Sequence, residues 1–109
     1  MKYVFDIDGT ICSTIDGNYE ESEPYLDKVE MVNKLYDEGS TIYFYTARGM
    51  RRHNLSYESA RREFYWFTHR QLRSWGVKFH KLFMGKPDGD IFIDDKGVHS
   101  GRFFADEKS

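Results

Sequence analysis

The chain has 109 residues, 39% hydrophobic and 17% aromatic, with a net charge of −2 and a single cysteine, Cys12. That length suits one domain over residues 1–109, and the large rings supply area for a core. The composition excludes an internal disulfide and a strongly basic nucleic-acid binder, and no apolar run approaches the ~20 residues of a membrane span. The lone cysteine and a start without a basic segment leading into an apolar run predict a cytoplasmic protein. No internal repeat or low-complexity tract is present.

The opening stretch KYVFDIDGTIC reads as a buried strand over residues 2–7, broken by Gly9. It ends in two acids, Asp6 and Asp8. Burying a charge costs several kcal/mol unless it is paired or binds a metal, so two carboxylates at a strand end point to chemistry. Residues 9–24 carry turn signals at Asp16-Gly17 and Pro24, and predict a small hairpin flap. Leu26, Val29, Val32, Leu35 and Tyr36 then lie at helical spacing, with Pro24 near the start and Gly39 at the end.

A second strand is predicted over 41–46, ending in Thr46. The segment 47–56, ARGMRRHNLS, is a basic loop. A long helix follows over 57–75, with Tyr57, Ala60, Phe64, Phe67 and Trp75 on its apolar face, Ser56 as N-cap and Gly76 as stop. Residues 78–85 and 90–97 predict two more strands, the last ending in Asp94 and Asp95. With about 14 residues beyond Asp95, no fifth strand is expected. Strands alternating with helices imply an α/β fold, a mainly parallel sheet with helices on both faces.

In open parallel sheets, ligands bind at the carboxyl ends of the strands. Asp6, Asp8, Thr46, Asp94 and Asp95 all fall at such ends, and Lys86 lies in the loop before the last strand. Carboxylates gathered on one rim repel each other, and oxygen-only ligands there suit Mg²⁺. A lysine and a hydroxyl beside a metal make a site for a phosphoryl group.

These residues resemble, in order, the four motifs of the haloacid dehalogenase superfamily of phosphatases. Asp6-Ile-Asp8-Gly9-Thr10 matches the first, Thr46 the second, Lys86 the third and Asp94-Asp95 the fourth. The resemblance covers nearly the whole chain. It implies a small three-layer Rossmann-like domain, and the short gaps between elements leave no room for a cap domain. It also implies roles. Asp6 would be the nucleophile, forming an aspartyl-phosphate, and Asp8 the general acid and then base. Thr46, with the backbone N–H groups of Ala47 and Arg48, would hold phosphate oxygens. Lys86 would neutralise the transferring group. Asp6, the backbone carbonyl of Asp8, Asp94 and Asp95 would hold Mg²⁺.

Residues two apart on a strand share a side, so Asp6 and Asp8 can face one phosphoryl group. Asp90 follows Lys86 by only four positions, too few for a crossover helix, which leaves Lys81 and Lys96 as alternative cations. Arg48, Arg51, Arg52 and His53 crowd the loop after Thr46, either as a clamp on an anionic substrate or as a solvated basic loop. His69, His80 and His99 fit no zinc spacing. Cys12 reads as a small buried side chain or a reactive thiol. Tyr65 and Trp66 belong to a wide core-facing side or to a subunit interface.

The segments YTARG and GKPDGDIFIDDKG resemble very small phosphatases associated with capsule and surface-polysaccharide biosynthesis. The expected partner is a small phosphorylated metabolite such as a sugar phosphate. Capless relatives often close the site with a neighbouring subunit, so a homo-oligomer is one expectation. The alternatives are a nucleotide or nucleic-acid-end phosphatase, a phosphotransferase, and a catalytically silent Mg²⁺-binding module. The even charge balance argues against long nucleic acid.

Overall fold

The structure, a computed structural model, describes residues 1–50, 53–54, 56–85, 91–94 and 98–99; for residues 57, 91, 92, 94, 98 and 99 the backbone alone is described. Its first strand, β1 (Lys2–Asp6), leads into a flap of two short strands, β2 (Cys12–Ser13) and β3 (Glu23–Pro24), with a 3₁₀ turn at Tyr19–Glu21 between them. Helix α1 (Leu26–Asp37), strand β4 (Thr41–Thr46), helix α2 (Tyr57–Ser74) and strands β5 (Lys81–Met84), β6 (Ile91–Asp94) and β7 (Val98–His99) follow. The main sheet is parallel, in the order β5-β4-β1-β6-β7.

The strand β7 corrects the expectation of no fifth strand. It contributes two residues, Val98 beside Ile93 and His99 beside Asp94, too few for any period to show in sequence. The Asp16-Gly17 turn also forms otherwise than expected. Both residues have positive φ (52° and 71°), as the dipeptide favours, but they sit inside the longer 14–22 loop rather than directly between paired strands.

Both helices end as their glycines dictate. Gly39 and Gly76 take φ of 96° and 76°, and the next residues, Ser40 and Val77, donate back to Leu35 and Leu72. Ser56 caps α2, accepting from the Ser59 backbone N–H at 3.3 Å. On one sheet face, Phe5, Ile42, Phe44, Leu82 and Ile93 join Val29, Val32 and Leu35 of α1 and Leu72 of α2 in one core cluster. The Asn33 side chain of α1 bonds Gly76 and Lys78, which places the two helices side by side. The other face carries Val4, Tyr43, Tyr45 and Phe83, with Lys2 and Lys81 over the Tyr43 ring. Neither described helix lies there, so the helical layer expected on that face is not among the described residues. No described helix is long and apolar enough to cross a membrane.

The chain leaves β4 through Ala47 and Arg48 into Gly49, whose φ is 80°. A Cβ there would run into the Phe64 ring of α2. Gly49 therefore lets the loop after β4 press against α2. Gly49→Ala should destabilise the fold by about 2–4 kcal/mol, combining left-handed strain with overpacking, measured as a lower urea midpoint with unchanged slope.

Candidate functional site

The site forms where β1 and β4 end side by side. Asp6 pairs with Tyr45, so Asp6 and Thr46 reach the same edge of the sheet. Past Asp6 the chain turns sharply: Ile7 is fully buried, and its carbonyl accepts from the N–H groups of both Thr10 and Ile11. Gly9 permits the bend with φ of 82°. Both Asp6 and Asp8 stay half-buried and line one hollow of about 310 Å³. Thr14, Gly17 and Tyr19 of the flap, with Ala47 and Arg48, complete its wall.

Arg48 is the unexpected member. Its side chain is fully buried, yet it belongs to a basic run that reads either as a clamp on an anionic substrate or as a solvated loop. Its Nη2 donates to Asp8 Oδ1 at 2.8 Å and its Nε to Oδ2 at 3.0 Å, a two-pronged grip on the carboxylate. Its Nη1 donates to Gln71 Oε1 at 2.7 Å and Thr68 Oγ1 at 3.3 Å on α2. The Tyr19 ring lies over the guanidinium, 4.8 Å from centroid to central carbon. So Arg48 is neither a free clamp nor a solvated loop residue: its guanidinium is spent on Asp8 and α2. Its backbone N–H donates to the Thr46 hydroxyl at 3.0 Å.

The flap is tied to the same network. Thr14 Oγ1 donates to Asp8 Oδ1 at 2.6 Å and lies 2.6 Å from Ser22 Oγ. Gln71 Nε2 donates to the Tyr19 carbonyl at 2.7 Å, and the Gly49 N–H donates to the Tyr19 hydroxyl at 3.3 Å. Asp8 Oδ1 is thus crowded by donors, while Oδ2 takes only the Arg48 Nε among these bonds. Sequence reasoning missed Thr14, Thr68 and Gln71, and offered Tyr19 only as a ring for stacking a nucleotide base. The available signal was on α2, where Thr68 and Gln71 interrupt the inward stripe of Ala60, Phe64 and Leu72.

Thr46 is buried, and its carbonyl accepts from the Gly85 N–H at 3.1 Å. The residue before Lys86 therefore sits at the same edge. Lys86 itself, with Asp95, Arg51, Arg52 and the alternative cation Lys96, lies outside the described residues. Lys81, the other alternative, opens β5 far from the edge and stands over Tyr43. Asp94 ends β6, one step beyond the Phe5–Ile93 pair, which brings its backbone beside the end of β1. Among the described residues, no three His, Cys, Asp or Glu side chains cluster closely enough to hold an ion. The acids that do line the hollow, Asp6 and Asp8, offer oxygens, the chemistry a hard cation such as Mg²⁺ prefers.

The histidines and cysteine find other work. His80 Nδ1 accepts from the Ile42 N–H at 3.0 Å, and its ring stacks on Tyr36. His69 packs edge-on against Phe79. The Cys12 thiol is buried under the flap; burial first, then the Asp8 charge, push it up to about 11. On α2, Tyr65 packs against the core while Trp66 is exposed.

No family model matches the chain, and no curated protein matches it significantly. Among solved structures, a structural-genomics target from Vibrio cholerae superposes with a TM-score of 0.79 at 27% identity, over 96% of this chain and 89% of that one. A D,D-heptose 1,7-bisphosphate phosphatase from B. bronchiseptica, complexed with magnesium and phosphate, superposes with a TM-score of 0.53 at 20% identity. That match covers 81% of this chain and 52% of the other, so this chain spans about half its length. The fold is the small α/β fold with a mainly parallel sheet expected from the sequence, and no separate cap domain stands among the described residues.

Two outcomes follow from the buried network. Arg48→Met should cost about 2–4 kcal/mol of stability, because it strands a half-buried Asp8. Asp8→Asn combined with Arg48→Met should cost less than the sum of the two singles in urea unfolding. For Cys12 the raised thiol value sets the sign: the native thiol stays protonated where an unfolded one ionises. Its contribution to stability is complete below pH 9 and falls as pH rises through about 11. Alkylation by iodoacetamide at pH 8 should be slow in the native protein and fast in urea.

Proposed function

We propose that this chain hydrolyses small phosphate monoesters, sugar phosphates foremost, through an aspartyl-phosphate at Asp6. The carrying observation is the convergence of Asp6, Asp8 and the end of β4 on one hollow, with the Asp8 carboxylate gripped by a buried arginine. A fold likeness to a heptose bisphosphate phosphatase supports the same chemistry.

In the first step an Asp6 oxygen attacks phosphorus, the bond to the ester oxygen breaks, and Asp8, which must take up a proton from solvent before this step, gives that proton to the ester oxygen. In the second, Asp8 takes a proton from a water whose oxygen attacks phosphorus, releasing inorganic phosphate and restoring the Asp6 carboxylate. Arg48 and Thr14 aim the Asp8 carboxylate for both proton transfers. The Thr46 hydroxyl, which accepts from the Arg48 N–H, would turn to a phosphate oxygen when substrate binds. Lys86 would balance the charge of the phosphoryl group. Mg²⁺, held by Asp6, the Asp8 backbone carbonyl, Asp94 and Asp95, would supply further neutralisation of that charge. A role in surface-polysaccharide synthesis rests on the resemblance of the YTARG and GKPDGDIFIDDKG segments alone, and a cytoplasmic setting on the lone cysteine.

The test is phosphate release from p-nitrophenyl phosphate and a panel of sugar phosphates, with Mg²⁺ and after chelation. Wild type should turn over only with the cation, and Asp6→Asn should lose at least about 10³-fold in kcat. Equal rates in Asp6→Asn and wild type would overturn the proposal.

A further inference from the structure

The hollow above Asp6 and Asp8 does not end at the flap. Gly17 and Tyr19 line it and also line a second hollow of about 280 Å³, so the two open side by side. Tyr19 is the divide, and it is fixed. Its carbonyl is held by Gln71, its hydroxyl by the Gly49 N–H, and its ring edge meets the Phe64 ring 5.1 Å away. The outer hollow has a built character of its own. Phe64 and Phe67 of α2 give it an aromatic floor, and Asn18, Glu20 and Glu63 stand around it with an amide and two carboxylates. Glu63 is itself bonded to His53 Nε2.

From this pairing of hollows we infer that the outer one is the subsite for the alcohol part of the ester, and that it takes an uncharged sugar ring. The inference rests on the proposed phosphatase reading and adds the substrate's other half. A sugar ring has an apolar C–H face that packs on aromatic rings, and hydroxyls that donate to carboxylates and amides. A second phosphate placed there would meet Glu20 and Glu63 and lose its hydration without a cation among the described lining residues. Substrates with one phosphate are therefore selected over bisphosphates. This is the opposite preference to the heptose bisphosphate substrate named for the structural neighbour.

The experiment compares kcat/KM for fructose 6-phosphate, glucose 6-phosphate, fructose 1,6-bisphosphate, AMP and acetyl phosphate, in wild type, Phe67→Ala and Glu20→Lys. Ratios between substrates within one variant do not depend on how much of it is folded. Wild type should prefer at least one sugar monophosphate to both the bisphosphate and AMP. Phe67→Ala should lower the ratio of that sugar phosphate to acetyl phosphate by about tenfold or more. Glu20→Lys should raise the ratio of fructose 1,6-bisphosphate to fructose 6-phosphate by about fivefold, less so in 1 M salt. Unchanged ratios in both variants, or a wild type that prefers the bisphosphate or AMP, would overturn the inference while leaving the phosphatase reading standing. If acetyl phosphate is also untouched by wild type, the phosphatase reading itself fails and the subsite falls with it.

Discussion

The pairing of Asp8 with Arg48 is the contact on which the rest of the site depends. A guanidinium with no exposed surface is tolerable only if its charge is matched and its donors are used. Here the match comes from Asp8, two residues past the end of β1, and Arg48 stands two residues past the end of β4. Because β1 and β4 are hydrogen-bonded neighbours, the pair closes over the strand ends and holds both turns in place. The donors left over must be satisfied by α2, which fixes that helix's register: Thr68 and Gln71 have to face inward where an apolar stripe would otherwise continue.

The same demand reaches the flap. Gln71 uses its carbonyl for Arg48 and its amide N–H for the Tyr19 backbone, so one side chain joins the buried charge to the lid above it. Thr14 adds a second tie from the flap to Asp8. No cap domain stands among the described residues, and the wall over Asp6 and Asp8 is instead a loop of nine residues, 14–22, anchored at several points. The bonds from Thr14 and Tyr19 hold that loop as the wall shared by the two adjoining hollows.

Much of this fold is legible in the sequence because its signals are local. Alternation over 41–46, helical spacing over α1, and the positive-φ glycines Gly39 and Gly76 each mark an element from within the element itself. The strand-end acids are legible for the same reason. The fate of Arg48 is not, because ARGMRR looks alike whether its first arginine faces water or a carboxylate 40 residues earlier. Leu26 misleads in the other direction: it fits the helical period yet is 67% exposed, since the first turn of α1 overhangs the core. Strand β7, with two residues, is too short to carry a pattern. The helix caps and sheet register are short-range physics, whereas the site's wiring is long-range pairing between polar groups.

The account stands or falls on where the phosphoryl group goes. The direct measurement is to acid-quench the protein during turnover of a sugar phosphate and map peptide masses. The predicted result is one phosphate on the carboxylate of Asp6, lost on mild base treatment and missing in Asp6→Asn. Turnover with no phosphorylated carboxylate, or with the phosphate on another residue, would contradict the assignment of Asp6 as nucleophile.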